Sequence, residues 1–224
     1  MNLLLLPKKN NAESLAHGSL RPATPGYAAA KRLMDVFGSL LLLLLGFPLM
    51  LVIAFAVGAT SRGPVLFRQA RLGRHGREFW LYKFRTMVPN AELLLQSRAD
   101  LRSRFEDGFK IENDPRITPI GTFLRKTSLD ELPQFLNVLL GTMSLIGPRP
   151  IVPAELKKYG TSGEKLLTVK PGLGGLWQVS GRSNTTYEER VLLDMEYIDH
   201  SSLILDLSLL LRTAFSVLTC RGSF

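Results

Sequence analysis

From Val36 to Ala59 the chain runs 24 residues without a charge. Asp35 stands just before the run, and Thr60, Ser61 and Arg62 follow it. A helix of that length and composition is long enough to cross the hydrocarbon core of a bilayer. A buried core helix is the soluble alternative. Pro48, at the middle of the run, removes a backbone donor and presses on the carbonyl of Leu44, which favours a kink. The flanks do not distinguish two sides. Residues 1–35 carry a net charge of +3 and residues 62–85 a net of +6. The positive-inside rule wants both flanks in the cytoplasm. One helix meets that demand only by entering the membrane, bending and leaving on the same side, with the freed carbonyls satisfied near the bend. Charge and proline alone leave re-entrant and spanning topologies both open.

The remainder reads as a mobile, cytoplasmic, Pro- and Gly-containing tail over residues 1–30, a membrane segment over 31–61 and a catalytic body over 62–224. With 46% hydrophobic residues the chain can build a core, which excludes wholesale disorder. The 28 Lys and Arg against 19 Asp and Glu call for an anionic partner. The single cysteine, Cys220, excludes an internal disulfide, and three scattered histidines give no basis for a zinc site.

Within the body, residues 64–69 and 79–84 are β-prone runs joined by a basic, turn-rich connection, which predicts a β-hairpin. Helices are expected over 90–106, up to Lys126, over 128–140 with Gly141 as cap, near 153–159 and over 185–199. Asn113-Asp-Pro-Arg116 reads as a turn, and residues 171–182 as loop or short strand. Leu203–Leu218 contains Asp206 and Arg212 and is too short and too charged for a comfortable span. It suits a helix lying in the membrane interface or packed on the body. The class is α+β with helix dominant.

Chemistry concentrates at Thr127-Ser-Leu-Asp-Glu-Leu-Pro133. Ser128 and Glu131 fit a capping box, the bland reading. Against it stand the nearby cations: Arg125, Arg149 in a Gly-Pro-Arg-Pro turn, and Lys83 and Arg85 at the end of the hairpin. Two adjacent carboxylates among such cations suit a phosphate site with a divalent metal, and a carboxylate can itself attack phosphorus. Gly172-Leu-Gly-Gly-Leu-Trp177 is no dinucleotide fingerprint, because Trp177 stands where glycine is required and the βαβ context is missing. The basic residues of 62–85 lie directly after the apolar run, which assigns them to anionic lipid headgroups rather than to nucleic acid.

Five segments carry a specific resemblance. They are Lys31-Arg-Leu-Met-Asp35, Tyr82-Lys-Phe-Arg-Thr-Met87, Arg125-Lys-Thr-Ser-Leu-Asp-Glu-Leu-Pro-Gln134, Ser144-Leu-Ile-Gly-Pro-Arg-Pro150, and Val169-Lys-Pro-Gly-Leu through Gly181-Arg182. Across roughly residues 31–220 the chain resembles the bacterial sugar transferases, the monotopic phosphoglycosyl transferases that prime cell-surface glycan synthesis. The resemblance implies transfer of a sugar 1-phosphate from a UDP-sugar to undecaprenyl phosphate, with release of UMP. Asp130 matches the family nucleophile. Glu131 matches its partner, which would help hold Mg²⁺ or manage the acceptor's proton. Arg125 and Arg149 match residues that hold phosphate oxygens, with Lys83, Arg85 and Arg182 completing the candidate phosphate and nucleotide set.

It further implies a re-entrant helix bent at Pro48 and a catalytic domain on the cytoplasmic face of the bacterial inner membrane. Anionic lipids are expected partners, and a homodimer is a further partner expectation. Phe47 precedes Pro48 where members often carry a small polar residue. Longer relatives have an N-terminal multi-helix membrane domain, so a minimal catalytic unit is expected here. Gly181-Arg-Ser183 resembles the hexose-1-phosphate transferases of exopolysaccharide priming, which leans toward UDP-glucose or UDP-galactose. Two alternatives are a membrane-anchored binding protein without activity, and direct transfer with the carboxylates serving only a metal.

Overall fold

The computed structural model describes residues 24–108, 111, 113–180 and 185–219. The expected tail up to residue 23, together with Arg182, lies outside them. Helix α1 runs Pro25–Thr60, with Pro48 inside it. Thr24 caps its start, accepting from the amide of Tyr27 at 3.3 Å, and Pro25 occupies the first turn, where its missing donor costs nothing. Residues 25–30, read from sequence as tail, are therefore its first turns.

One stripe of α1 faces the body at helical spacing: Asp35, Ser39, Leu43, Met50, Ile53 and Val57. The other faces are apolar and bare, with Phe37, Leu44, Leu45 and Phe55 each more than 60% exposed. Both ends of the helix are fixed to the same body. At the start, Lys31 pairs with the buried carboxylate of Asp206 at 2.8 Å, and Arg32 donates to the carbonyls of Val138 and Leu139 at 2.7 and 2.8 Å. Asp35 accepts from the Ser144 hydroxyl and the Leu145 amide, both at 2.9 Å. At the far end, Ile53 and Val57 pack with Phe84 and Leu124.

The expected hairpin forms. Strand β1 (Leu66–Leu72) pairs antiparallel with β2 (Glu78–Phe84), Leu66 opposite Phe84 and Leu72 opposite Glu78. A 3₁₀ turn at Arg74–Gly76 joins them, and the amide of His75 ties the hairpin tip to the carbonyl of Leu167 at 2.7 Å. The expected helix over 90–106 is two helices, α2 (Ala91–Ser97) and α3 (Ala99–Gly108), broken at an extended Arg98. The break has a packing reason. Leu95 and Leu101 both bury against Ile111, and six residues apart on one straight helix they would face different ways.

Helix α4 (Pro119–Lys126) is followed by a 3₁₀ turn, Leu129–Glu131, and α5 (Gln134–Leu140), which Gly141 closes in the left-handed region as expected. Strand β3 (Ser144–Ile146) leads through a third 3₁₀ stretch, Pro153–Ser162, to α6 (Gly163–Leu166). Strand β4 (Gly172–Gly174) pairs parallel to β3, and α7 (Leu176–Ser180), α8 (Tyr187–His200) and α9 (Leu203–Leu218) complete the chain. Thr186 and Glu189 form a reciprocal capping box on α8 that the sequence reading missed.

The main core gathers Leu81, Phe135, Val138, Met143, Leu145, Ile146, Tyr197 and Leu209, so α5, β3, α8 and α9 close around the inner face of β2. Asn137 stitches α5 to the free edge of β2, accepting from the amide of Tyr82 at 3.1 Å and donating to the carbonyl of Trp80 at 2.7 Å. On α9 the packed face includes Asp206 and Leu209, whereas Ile204, Leu207, Leu211 and Phe215 form an exposed apolar stripe.

Candidate active site

The turn after α4 decides what Asp130 and Glu131 can do. Ser128 sits in the left-handed region, at φ 58°, and its side chain makes no cap hydrogen bond. The capping-box reading of Ser128 and Glu131 therefore fails, because a residue that ends α4 in this conformation cannot also start the next helix. The carboxylates stand on a tight turn between two helices instead, and neither serves a helix terminus.

Asp130 is only 6% exposed. Lys83, near the end of β2, extends between the two acids, with its ammonium 2.5 Å from Glu131 and 3.9 Å from Asp130. Burial pushes the Asp130 carboxyl up to about 6; Lys83 opposes the shift and the like charge of Glu131 adds to it. Glu131 goes the other way. Burial works against its charge, but the field and hydrogen bond of Lys83, with Arg149 and Gln134 helping, hold it below the usual carboxylate range. Two adjacent acids are thus split, one easily protonated and one firmly ionised, the separation seen where paired carboxylates take different roles.

Arg125 reaches the dyad because α4 lies almost on the backbone of Thr86. A Cβ on Gly121 would stand 2.1 Å from the Thr86 carbonyl oxygen, so only glycine permits the approach. The Arg125 guanidinium then donates to the Thr86 hydroxyl at 2.9 Å. Burial holds Arg125 below its ordinary value, while Asp130 favours its charge. Behind it, Asp114 and Arg116 form a buried fork with contacts of 2.7 and 2.9 Å, and Asp114 adds its own attraction on Arg125. Arg149 is set by a second glycine contact. A Cβ on Gly172 would lie 2.0 Å from the Gly147 amide nitrogen. The Gly172 amide donates to the carbonyl of Pro148 at 2.7 Å, fixing the loop from which Arg149 projects.

The structure therefore brings together Asp130, Glu131, Lys83, Arg125 and Arg149. Arg85 goes elsewhere. Its buried guanidinium donates to Ser61 O at 2.7 Å, to Ser61 Oγ at 2.8 Å and to the carbonyl of Pro64, closing the junction between α1 and β1. The reading of Arg85 as a phosphate ligand does not match that placement, since β2 ends at Phe84 and the chain turns away. Sequence reasoning missed Thr86, Arg71, Trp177 and Arg190, whose proximity to the site or to Arg149 is long-range; Thr86 and Trp177 carried a signal, lying within the Tyr82–Met87 and Val169–Arg182 segments.

Among the described residues no cluster of three or more His, Cys, Asp or Glu side chains could enclose a metal. Two carboxylates beside a cationic pocket are what a Mg²⁺ ion takes when substrate phosphates and water complete its shell.

A family model described as "Bacterial sugar transferase" matches residues 26–220. The chain belongs to this family. It is 45% identical over 198 residues to the undecaprenyl-phosphate galactose phosphotransferase of Salmonella typhimurium, covering 87% of this chain and 41% of that protein. It is 40% identical to the exopolysaccharide production protein ExoY of Rhizobium meliloti, with 92% of each covered. A third relative, at 41% identity over 83% of this chain and 39% of its own length, is the UDP-glucose:undecaprenyl-phosphate glucose-1-phosphate transferase of Klebsiella pneumoniae. The chain spans less than half the length of the first and third of these.

Proposed function

We propose that this protein is a phosphoglycosyl transferase that moves a hexose 1-phosphate from a UDP-sugar to undecaprenyl phosphate, releasing UMP, as the first membrane step of exopolysaccharide or related glycan synthesis. The observation that carries this reading is the buried Asp130, with a carboxyl near 6 and Lys83 shared with an ionised Glu131. The activities in the names of the relatives agree with it.

An oxygen of ionised Asp130 attacks the β-phosphorus of the UDP-sugar. A carboxylate-phosphorus bond forms, the bond from that phosphorus to the bridging oxygen breaks, and the electron pair leaves with UMP. An oxygen of undecaprenyl phosphate then attacks the same phosphorus and frees Asp130. Arg125, Arg149 and Lys83 offset the charge on the phosphoryl oxygens in both steps, in a pocket where burial strengthens their field. The covalent step lets a soluble anion and a lipid anion use one cationic pocket in turn. Asp130 and Glu131 would hold Mg²⁺, which when bound withdraws charge from phosphoryl oxygens.

The same reading has α1 enter and leave the membrane on the cytoplasmic side, bending at Pro48. Supporting it, Lys31, Arg32 and Asp35 before the apolar run and Val57 near its far end all contact one body. A helix with the bilayer between its ends could not do that. The bare faces of α1 and α9 then meet lipid, and the basic flanks meet anionic headgroups.

The test is UMP release from a panel of UDP-sugars, with and without undecaprenyl phosphate. UDP-glucose or UDP-galactose should react, and Asp130→Asn should not release UMP. A protein that binds anionic lipid in a salt-sensitive way, unaffected by Asp130→Asn, and turns over no UDP-sugar would be a binding protein instead.

A further inference from the structure

Arg149 faces two ways. Its charge helps hold Glu131 ionised, and it also bears on two further, half-buried arginines, Arg71 and Arg190. Arg190, on α8, lies over the ring of Trp177 at 4.4 Å and of Tyr187 at 5.4 Å, and Arg149 approaches the same Trp177 at 5.8 Å. Arg71, on β1, is anchored on the other side of Arg149 by the carbonyl of Pro150 at 3.0 Å and by Glu155 at 3.4 Å. Three guanidinium groups thus converge where mutual repulsion disfavours them. Burial first, and then Arg149, hold both Arg71 and Arg190 below the ordinary arginine value.

The polar inventory of this cluster is lopsided. The Nε of Arg71, the Nε of Arg190, the indole nitrogen of Trp177 and the hydroxyl of Tyr187 are all buried without a hydrogen-bond partner. Each such group costs free energy if it is left without a partner. Behind them, Asp194 is fully buried; its Oδ2 accepts from Tyr159 at 2.8 Å, and its Oδ1 is the one acceptor of the cluster without a partner, against four such groups that can donate. Its burial pushes the carboxyl up to about 7, so it is a weak counter-charge for Arg190. An excess of donors and positive charge, next to a carboxylate dyad and sharing Arg149 with it, is built for a second anion.

We propose that Arg71, Arg149 and Arg190, with Trp177 and Tyr187, form the pocket for the departing nucleoside monophosphate. Arg149 serves the phosphate under attack at Asp130, and Arg190 and Arg71 take the phosphate that leaves. This rests on the transferase reading and assigns its leaving-group end. When the bond between the two phosphates breaks, the electron pair settles on the bridging oxygen, and the negative charge gained there is met by the arginine cluster without need of a proton. The tryptophan of the glycine-rich segment, which is no dinucleotide fingerprint, acquires a role as the plate that holds Arg190 and Arg149 in register.

The probe is UMP, and the readout is Trp177 emission in the full chain in detergent. The sequence has two tryptophans, so a Trp80→Phe background isolates Trp177. UMP should shift that emission. Arg190→Gln should weaken the UMP response by roughly 10- to 100-fold, as loss of a charged donor does, and Arg190→Lys should recover part of it. Tyr187→Phe, which removes a single hydroxyl and leaves the fold intact, should weaken it by about 3- to 10-fold. The UMP inhibition constant against UDP-sugar should rise in parallel. Asp130→Asn should bind UMP as the parent does. UMP affinity and inhibition unchanged in folded Arg190→Gln and Tyr187→Phe would overturn the pocket, even with UDP-sugar turnover intact. UMP binding with the stated dependences in a protein that turns over no UDP-sugar would uphold the pocket and sink the transferase reading.

Discussion

Lys83 approaches Glu131 at 2.5 Å and Asp130 at 3.9 Å, so a single ammonium serves two adjacent carboxylates unequally. Glu131 takes the contact and stays charged, while Asp130 is left buried with a proton it can lose near pH 6. A nucleophile needs that proton gone. The logarithm of kcat/KM for the UDP-sugar should therefore rise with pH up to about 6 and level above it. Lys83→Met removes a charge that favours ionisation and should move the inflection up. Glu131→Gln removes one that opposes it and should move the inflection down. Shifts in the same direction would contradict this division of roles.

The raised carboxyl has a stability consequence of definite sign. Asp130 holds its proton more tightly folded than unfolded, so its contribution is present below pH 4 and is lost as pH rises through about 6. Above that, ionised Asp130 destabilises the fold by on the order of 2–3 kcal/mol. Asp130→Asn should melt several degrees higher than wild type at pH 8 and at nearly the same temperature at pH 4, by thermal denaturation in detergent.

Arg125 and Arg85 should separate cleanly. Arg125→Ala should lower turnover by on the order of 10²-fold with little loss of stability, as for removal of one charge-stabilising donor. Arg85→Ala should instead lower the melting temperature, because the carbonyls of Ser61 and Pro64 lose a buried donor, at a cost of about 2–4 kcal/mol. The KM for UDP-sugar in its folded fraction should stay near that of wild type. Paired kinetics and melting curves check both.

Asp206 is fully buried and holds Lys31 at 2.8 Å, Tyr27 at 2.8 Å and Tyr197 at 2.7 Å, latching α1 to α8 and α9. Lys31→Met should destabilise by about 3 kcal/mol, since it strands a buried charge. Adding Asp206→Asn should recover part of that loss, and additive costs would show that the latch carries no coupling.

Topology is read by labelling. With Cys220 replaced by serine, Thr24→Cys and Ser97→Cys should both be protected from an impermeant thiol reagent in intact cells, and both should react after permeabilisation. Labelling of Thr24→Cys from outside would establish a spanning helix.

Much of this architecture is legible in the chain. An uncharged run of that length forms one helix whatever surrounds it, and the β-prone runs on either side of the basic, turn-rich connection pair as a hairpin. Tertiary packing hides the rest. Ser128 and Glu131 match a capping box by spacing, yet the end of α4 claims Ser128. Alternation on β2 would put Lys83 and Arg85 on one face, but the strand stops at Phe84 between them. Arg71, Trp177 and Arg190 come from three separate elements and Arg149 from a loop, so no local pattern marks their meeting. The split of α2 from α3 follows from the burial of Leu95 and Leu101 on a single cluster, which only the folded chain reveals.

The central claim, that Asp130 forms a bond to phosphorus, is tested most directly by incubating the protein with a UDP-sugar labelled in its β-phosphate and no lipid. The account predicts one equivalent of UMP, label retained on the protein and mapped to Asp130, and discharge of that label on adding undecaprenyl phosphate. Asp130→Asn should trap none, and Glu131→Gln should trap label at Asp130 more slowly. Active wild-type protein that retains no label, and that releases UMP only when the lipid acceptor is present, would contradict the account and leave Asp130 a metal ligand in a direct transfer.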